Sequence, residues 1–256
     1  MTAVARRRSP TVGCEVRDGV AWLTLGRPAR GNALDAELLG ELAEACERAE
    51  ADDDARVVVL AAAGRTFSSG LPRTVGWPER HWHDGVAAVA RLTKPVVAAI
   101  QGEAIGWGAA LALACDIRVG SSAAALVLPE AHAGGLPGGG ATQRLARIVG
   151  PARALELILL GRRLRAREML AWGLLAEVVA PGRLAATAAR LATDLARRGP
   201  LALRLAKEAV VRALDLPLDD GIRLEHDLYV LLQTTADRAE GIAAFQARRR
   251  PRFEGR

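Results

Sequence analysis

Lysine is almost missing from this chain: of its 35 basic residues, all but Lys94 and Lys207 are arginine. The formal charge of +6 therefore rests on arginines spread through an alanine-rich sequence, with no RNA- or DNA-recognition motif beside them. Such a balance alone does not make a nucleic-acid surface, and no nucleic-acid partner is expected. Cysteine is scarce too. Cys14, Cys46 and Cys115 are odd in number, far apart and without CxxC spacing, which argues against a disulfide framework or a zinc site and fits a reducing, cytoplasmic setting. Aromatic residues make up 4% of the chain, so the core has to be built from alanine, valine and leucine. No uncharged apolar run reaches the roughly 18 residues of a membrane span; the longest near it, Ala104 to Cys115, is closed by Glu103 and Asp116. The basic opening MTAVARRRSP has neither amphipathic length nor an apolar stretch, and residues 1–10 read as a disordered arm.

What is present suffices for a large core. Half of the 256 residues are hydrophobic, enough for one big domain or a domain with an appendage. Cys14 to Leu25 predicts a hairpin around Asp18-Gly19. Asp35 is placed to cap a helix whose Leu38, Leu39, Leu42, Cys46 and Ala49 recur at three- and four-residue spacings. Apolar strands are expected at Arg56–Ala62, Val96–Ile100, Ile117–Val119 and Ala125–Leu128, interleaved with helices from about Gly106, Thr142 and Ala152. That alternation predicts an α/β fold with buried parallel strands. After Arg183 only helices are expected, broken at Gly199-Pro200, Pro217 and Asp237, and the apolar segment Leu224 to Leu232 suits self-association or packing within the chain.

The richest segment is KPVVAAIQGEAIGWGAALALACD, Lys94 to Asp116, where an apolar run ends in a glycine-punctuated turn and restarts as a small-residue helix. Backbone N–H groups at such a junction make Gly106-Trp107-Gly108 a candidate anion or oxyanion pocket. Between Trp107 and Leu113 there is no Ser, Cys, Lys or carboxylate, so no nucleophile starts this helix. Gly138-Gly139-Gly140 before Thr142 is not a GxxxxGK[ST] phosphate loop. Trp77, Glu79, His81, Trp82, His83 and Asp84 form a polar and aromatic cluster that suits a surface turn or a base near pH 7. The His81/His83 pair has no third ligand at a suitable spacing, and no metal is expected.

Taken in order, several motifs resemble the crotonase superfamily, the enoyl-CoA hydratase/isomerase family, over some 230 residues. They are RPARGNAL (Arg27–Leu34), FSSG (Phe67–Gly70), the Lys94–Asp116 segment, Pro129-Glu130 and LPGGGATQRLARIVG (Leu136–Gly150). LGRRLRAREMLAWGLLAEVV (Leu160–Val179) and the terminal EGIAAFQARRRPRFEGR follow. The resemblance implies a spiral of ββα repeats over 11–198 that binds a CoA thioester. It also implies a helical oligomerisation region over 199–256, assembling a homotrimer or a dimer of trimers. No cofactor is implied beyond the coenzyme A carried by the substrate.

The resemblance also assigns roles. The family's oxyanion hole, two main-chain N–H groups on the thioester carbonyl, falls on Leu71 and Trp107, each donor worth about 3–4 kcal/mol. Arg30, Ala33, Ser69 and Gly70 become CoA or substrate contacts, and Phe245 with the Arg248–Arg252 cluster closes over the adenine and 3′-phosphate. Gly106, Gly108, Pro129, Leu136 and Gly138 are further CoA or substrate contacts, the Gly138–Gly140 turn lining the acyl tunnel. Of the two catalytic glutamates of the family's hydratases, the proton donor matches Glu130 and the water activator falls on Ala110. A methyl group moves no proton, so hydration loses a factor of about 10²–10⁴, whereas a Δ3,Δ2-enoyl-CoA isomerase runs on a single glutamate at the position of Glu130. Hydration with a substitute activator, dehydration or decarboxylation of a carrier-bound acyl group, and a catalytically weak CoA-binding or assembly protein are the alternatives. Glu103 reads as a helix-start charge, a pantetheine contact or a proton group, and Asp116 as an organiser of the end of the central helix.

Overall fold

A computed structural model of the chain describes residues 10–72 and 83–256, at 83 and 84 the backbone alone. Nine strands are described: β1 (Val12–Arg17), β2 (Val20–Leu25), β3 (Val57–Ala62), β4 (Val96–Ile100), β5 (Glu103–Ile105), β6 (Ile117–Ser121), β7 (Ala125–Val127), β8 (Leu164–Arg165) and β9 (Glu177–Val179). They form a six-stranded sheet in the order β1-β2-β3-β4-β6-β9 and a small sheet in the order β5-β7-β8. β1 and β2 pair antiparallel around Asp18 and Gly19, both at positive φ (52° and 76°), as the sequence's turn signal requires. From β2 onward the large sheet is parallel.

Parallel strands need crossovers, and helices supply them. α1 (Ala36–Ala51) is capped by the Asp35 carboxylate, which accepts the Leu38 N–H at 3.0 Å, and buries its Leu38, Leu39, Leu42 and Cys46 stripe against the sheet. α2 (His83–Arg91) packs on α1. α3 (Trp107–Leu113) is buried at every residue, which explains its composition: only Gly, Ala, Leu and one Trp. α4 (Ala141–Val149), α5 (Pro151–Leu160) and α6 (Ala166–Ala171) complete this side. α7 (Leu184–Ala196) covers the opposite face, where Val57, Val59, Val97 and Val119 meet Leu184, Ala188 and Ala192. Burying one such leucine or valine contributes roughly 1.5–3 kcal/mol, so two closely filled layers suffice with few aromatics, Phe67 and Trp107 among them.

Both lysines serve the frame. Lys94, 2% exposed, donates from Nζ to the carbonyls of Ala49 and Asp52, closing the C-terminus of α1 where a cation suits the helix dipole. Burial holds its pKa below the usual lysine value. Lys207 Nζ meets Asp116 Oδ2 at 2.7 Å and the Lys94 carbonyl at 3.0 Å. Asp116 also accepts the Val96 N–H at 2.7 Å, tying the end of α3 to the start of β4.

Three helices follow: α8 (Pro200–Arg212), α9 (Leu218–Gln233) and α10 (Ala236–Gln246). The last break lies at Thr234-Thr235 rather than at Asp237, because the Thr235 hydroxyl caps α10 by accepting the Arg238 N–H. Asp237 instead sits in the first turn, 6% exposed, and accepts the N–H groups of Glu254 and Gly255. The tail also reaches the sheet layer, where Arg56 Nη2 donates to the Phe253 carbonyl at 2.8 Å. The short strands β5, β8 and β9 are not foreseen from composition, since two or three residues give too little pattern to read. Glu103, expected at a helix start, opens β5 and pairs with Arg163 at 2.9 Å.

Candidate functional site

Three chain segments run side by side at one edge of the small sheet. Ser68 forms a parallel bridge with Ala104, through Ser68 N–H to Glu103 C=O (3.1 Å) and Ile105 N–H to Ser68 C=O (2.9 Å). On the other side β5 pairs in parallel with β7, Ile105 facing Val127, and the Gly106 N–H continues the ladder to the Val127 carbonyl at 2.8 Å. In a parallel arrangement all three segments end at the same edge, so the residues that follow them converge: Ser69-Gly70-Leu71, Gly106-Trp107-Gly108 and Pro129-Glu130. The carboxyl ends of parallel strands are where open α/β sheets place ligands.

Glycine makes the convergence possible. A β-carbon on Gly70 (φ 79°) would stand 2.6 Å from the Ile105 carbonyl oxygen and 3.4 Å from the Trp107 nitrogen. One on Gly108 would lie 2.7 Å from the Ser68 carbonyl oxygen. One on Gly106 (φ 53°) would collide with Glu130 Oε1. The turns at 70–71 and 106–107 are therefore in direct contact, with a carboxylate beside them. Among the described residues nothing accepts a hydrogen bond from the Leu71 N–H.

Glu130 opens a 3-10 turn (Glu130–Ala133) after Pro129. Its side chain is half-buried, and Oε2 is buried with no hydrogen-bond partner among the described residues. Desolvation raises its pKa above the usual glutamate value, opposed in part by a hydrogen bond from its own main-chain N–H. Ala110, one turn into α3, is fully buried. A β-carbon on Gly139 would come within 2.9 Å of its methyl, so the Gly138–Gly140 turn closes directly over it.

Comparison with known proteins bears on this edge directly. A family model described as enoyl-CoA hydratase/isomerase matches residues 15–256. The chain belongs to that family, within the crotonase superfamily. Its fold is the crotonase-like α/β fold: an enoyl-CoA hydratase from Bacillus anthracis superposes with a TM-score of 0.92 at 36% identity, over 96% of this chain and 100% of that one. The (E)-benzylidenesuccinyl-CoA hydratase of Thauera aromatica is 38% identical over 253 residues, 95% of this chain and 99% of that protein. The 1,2-epoxyphenylacetyl-CoA isomerase of Escherichia coli K12 is 38% identical over 254 residues, 94% and 97% respectively. As a member of this family the chain is an acyl-CoA enzyme.

In this enoyl-CoA hydratase/isomerase family member, the outer candidates divide into two groups. Main-chain hydrogen bonds from Ser69 to Gly31 and from Leu34 to Gly70, both 2.8 Å, place Arg30, Ala33, Ser69 and Gly70 together. Arg30 is exposed at the end of the 3-10 turn Pro28–Arg30. Gly138 joins the inner site by packing on the Trp107 indole. Leu136 (79% exposed) and Phe245 (85% exposed) stand outward, Phe245 on α10. In the arginine cluster, Arg249 forms a two-pronged ion pair with Glu240. His81 and the cluster from Trp77 to Trp82 lie outside the described residues, as do the side chains of His83 and Asp84. No group of three or more His, Cys, Asp or Glu able to hold a metal occurs among the described residues.

Two positioning residues escaped the sequence reading. Asn32, fully buried at φ 52°, accepts the Arg27 N–H and donates to the carbonyls of Ala63 and Thr66. Its own carbonyl accepts from the Ser68 hydroxyl (2.8 Å), whose oxygen accepts the Gly70 N–H (3.1 Å). This relay fixes the Ser69–Gly70 peptide, and the next one, which carries the Leu71 N–H, is held through its Gly70 carbonyl by the Leu34 N–H at 2.8 Å. Its only sequence signal is the Gly31-Asn32 dipeptide, a turn pair whose asparagine tolerates positive φ.

Proposed function

We propose that the protein shifts a double bond in an enoyl-CoA thioester, with Glu130 as its single acid–base group. The thioester carbonyl oxygen accepts hydrogen bonds from the main-chain N–H groups of Leu71 and Trp107. The ionised Glu130 carboxylate removes a C2 proton, and the electrons of that C–H bond form an enolate whose charge the two donors hold. As the enolate collapses, the C3–C4 double bond moves to C2–C3, and Glu130 returns its proton to C4. Atoms and charge balance without water, metal or a separate cofactor.

Ala110 carries this reading: the position that would hold a water-activating glutamate is a buried methyl roofed by Gly139. Glu130, with a buried oxygen that has no partner among the described residues and a raised pKa, suits a base that must later act as an acid near neutral pH. Those two properties also favour an active enzyme over a weak CoA-binding protein, since a carboxylate kept only for structure would have its oxygens partnered. The 38% identity to the Thauera aromatica hydratase supports a second reading, hydration with a substitute activator. Identity does not choose between them, because the Escherichia coli isomerase is equally similar.

The test is direct. Purified protein is offered a 3-enoyl-CoA and a 2-enoyl-CoA of the same length. Isomerisation faster than hydration is the expected result; rapid hydration by the unaltered protein overturns it.

A further inference from the structure

Trp107 presents a contradiction. Its amide belongs to the candidate site, yet its side chain is almost wholly covered, 5% exposed. One face of the indole lies on the turn at 138–140: a β-carbon on Gly138 would stand 2.7–2.8 Å from Nε1, Cε2 and Cζ2, and one on Gly139 would stand 3.6 Å from Cε3. The indole therefore rests on bare backbone, at a distance only glycine allows. Trp107 and Ala110 are three residues apart on α3 and share a face, so the ring and the Ala110 methyl meet the same turn. Trp107 directly follows Gly106, whose missing β-carbon leaves the room that Glu130 Oε1 occupies, so the ring is carried by the residue next to the carboxylate's close approach.

We propose that the Trp107 side chain, apart from its amide, sets the length of the acyl group. The indole is the wall behind the reacting carbons and restricts the site to short acyl thioesters. This rests on the acyl-thioester reading above. An acyl group whose carbonyl reaches the Trp107 N–H and whose C2 reaches Glu130 lies within a few ångströms of the ring carried by the same residue. A longer chain has to displace a buried aromatic that is braced from behind by Gly138 and Gly139. Removing the ring opens room for methylenes, each worth about fourfold in affinity once it is covered.

Equilibrium binding of butyryl-CoA and decanoyl-CoA tests this by calorimetry, because neither has a double bond to move or hydrate. The expected result is tighter binding of butyryl-CoA by the unaltered protein. Trp107→Ala, which keeps the main-chain N–H, shifts the ratio at least about tenfold toward decanoyl-CoA. If Trp107→Ala does not fold, Trp107→Phe gives a smaller shift in the same direction. A ratio that stays constant while both affinities fall together overturns the inference, as does a preference of the unaltered protein for decanoyl-CoA. If the unaltered protein binds neither ester, the acyl-thioester reading itself fails.

Discussion

The carboxylate of Glu130 lies so close to the α-carbon of Gly106 that any side chain at 106 would collide with Oε1. Gly106 precedes Trp107, and its positive φ turns the chain from β5 into α3. One glycine thus leaves room for the carboxylate and aims the peptide of the proposed donor.

Replacing Glu130 with Gln keeps the shape and removes the base. Isomerisation of a 3-enoyl-CoA is expected to fall by about 10²–10⁴-fold with little change in KM. In the unaltered protein kcat rises with pH as Glu130 ionises. Because burial raises this pKa, the midpoint lies above the usual glutamate range. A pH profile of kcat is the measurement, and a flat acidic limb in the unaltered enzyme would contradict the assignment.

The same substitution has a stability consequence of opposite sign. A carboxyl whose folded pKa is raised binds its proton more tightly in the folded protein. That contribution is fully present below the unfolded pKa and is lost as pH rises through the folded one. Glu130→Gln stays neutral throughout, so it should melt higher than the unaltered protein at pH 7–8 and lose that advantage toward pH 4. For a chain of this size a difference of roughly 1 kcal/mol appears as a shift of about 2–4 °C. Thermal melts at both pH values decide it.

Restoring a carboxylate at position 110 should not restore hydration. Ala110→Glu drives a charged side chain into the Gly139 turn, at an overpacking cost of about 1–3 kcal/mol before the charge is counted. The expected variant melts lower and still hydrates a 2-enoyl-CoA more slowly than it isomerises. Fast hydration would show that the turn yields easily and that the missing acid was the whole difference.

Ser68→Ala breaks the relay from Asn32 to Gly70. It leaves the Gly70 N–H and the Asn32 carbonyl without their partner in a fully buried place, for a loss of about 1–3 kcal/mol. Because the Leu71 donor follows Gly70, kcat should fall more than KM rises. An unchanged kcat in a merely less stable protein would reduce Ser68 to a structural role.

Assembly can be weighed in solution. α8 and α9 bury no residue within the chain, while Val210, Leu214, Leu218, Ile222 and Tyr229 are 72%, 63%, 78%, 55% and 59% exposed. Apolar helices left this bare call for a partner surface, and a trimer is the expected one. Light scattering at the mass of a single chain would refute it.

Much of the fold was legible in the residues. The Asp18-Gly19 turn, the Asp35 cap with its leucine stripe, and the valine-rich strands β3 and β4 each announce themselves through local rules, because capping, φ preference and apolar period are properties of neighbours in sequence. The ordered motifs, running from Arg27 to the C-terminal arginines, named the family. Tertiary structure decided what neighbours cannot: that Ser68 pairs with Ala104 and Ile105 with Val127, bringing residues some sixty positions apart to one edge. It also decided that Glu130 keeps a buried oxygen with no partner among the described residues, that Asn32 and Ser68 hold the Leu71 turn from behind, and that Glu103 enters a strand rather than a helix. Those are matters of distance and desolvation, which depend on segments far apart in the chain and not on neighbours in sequence.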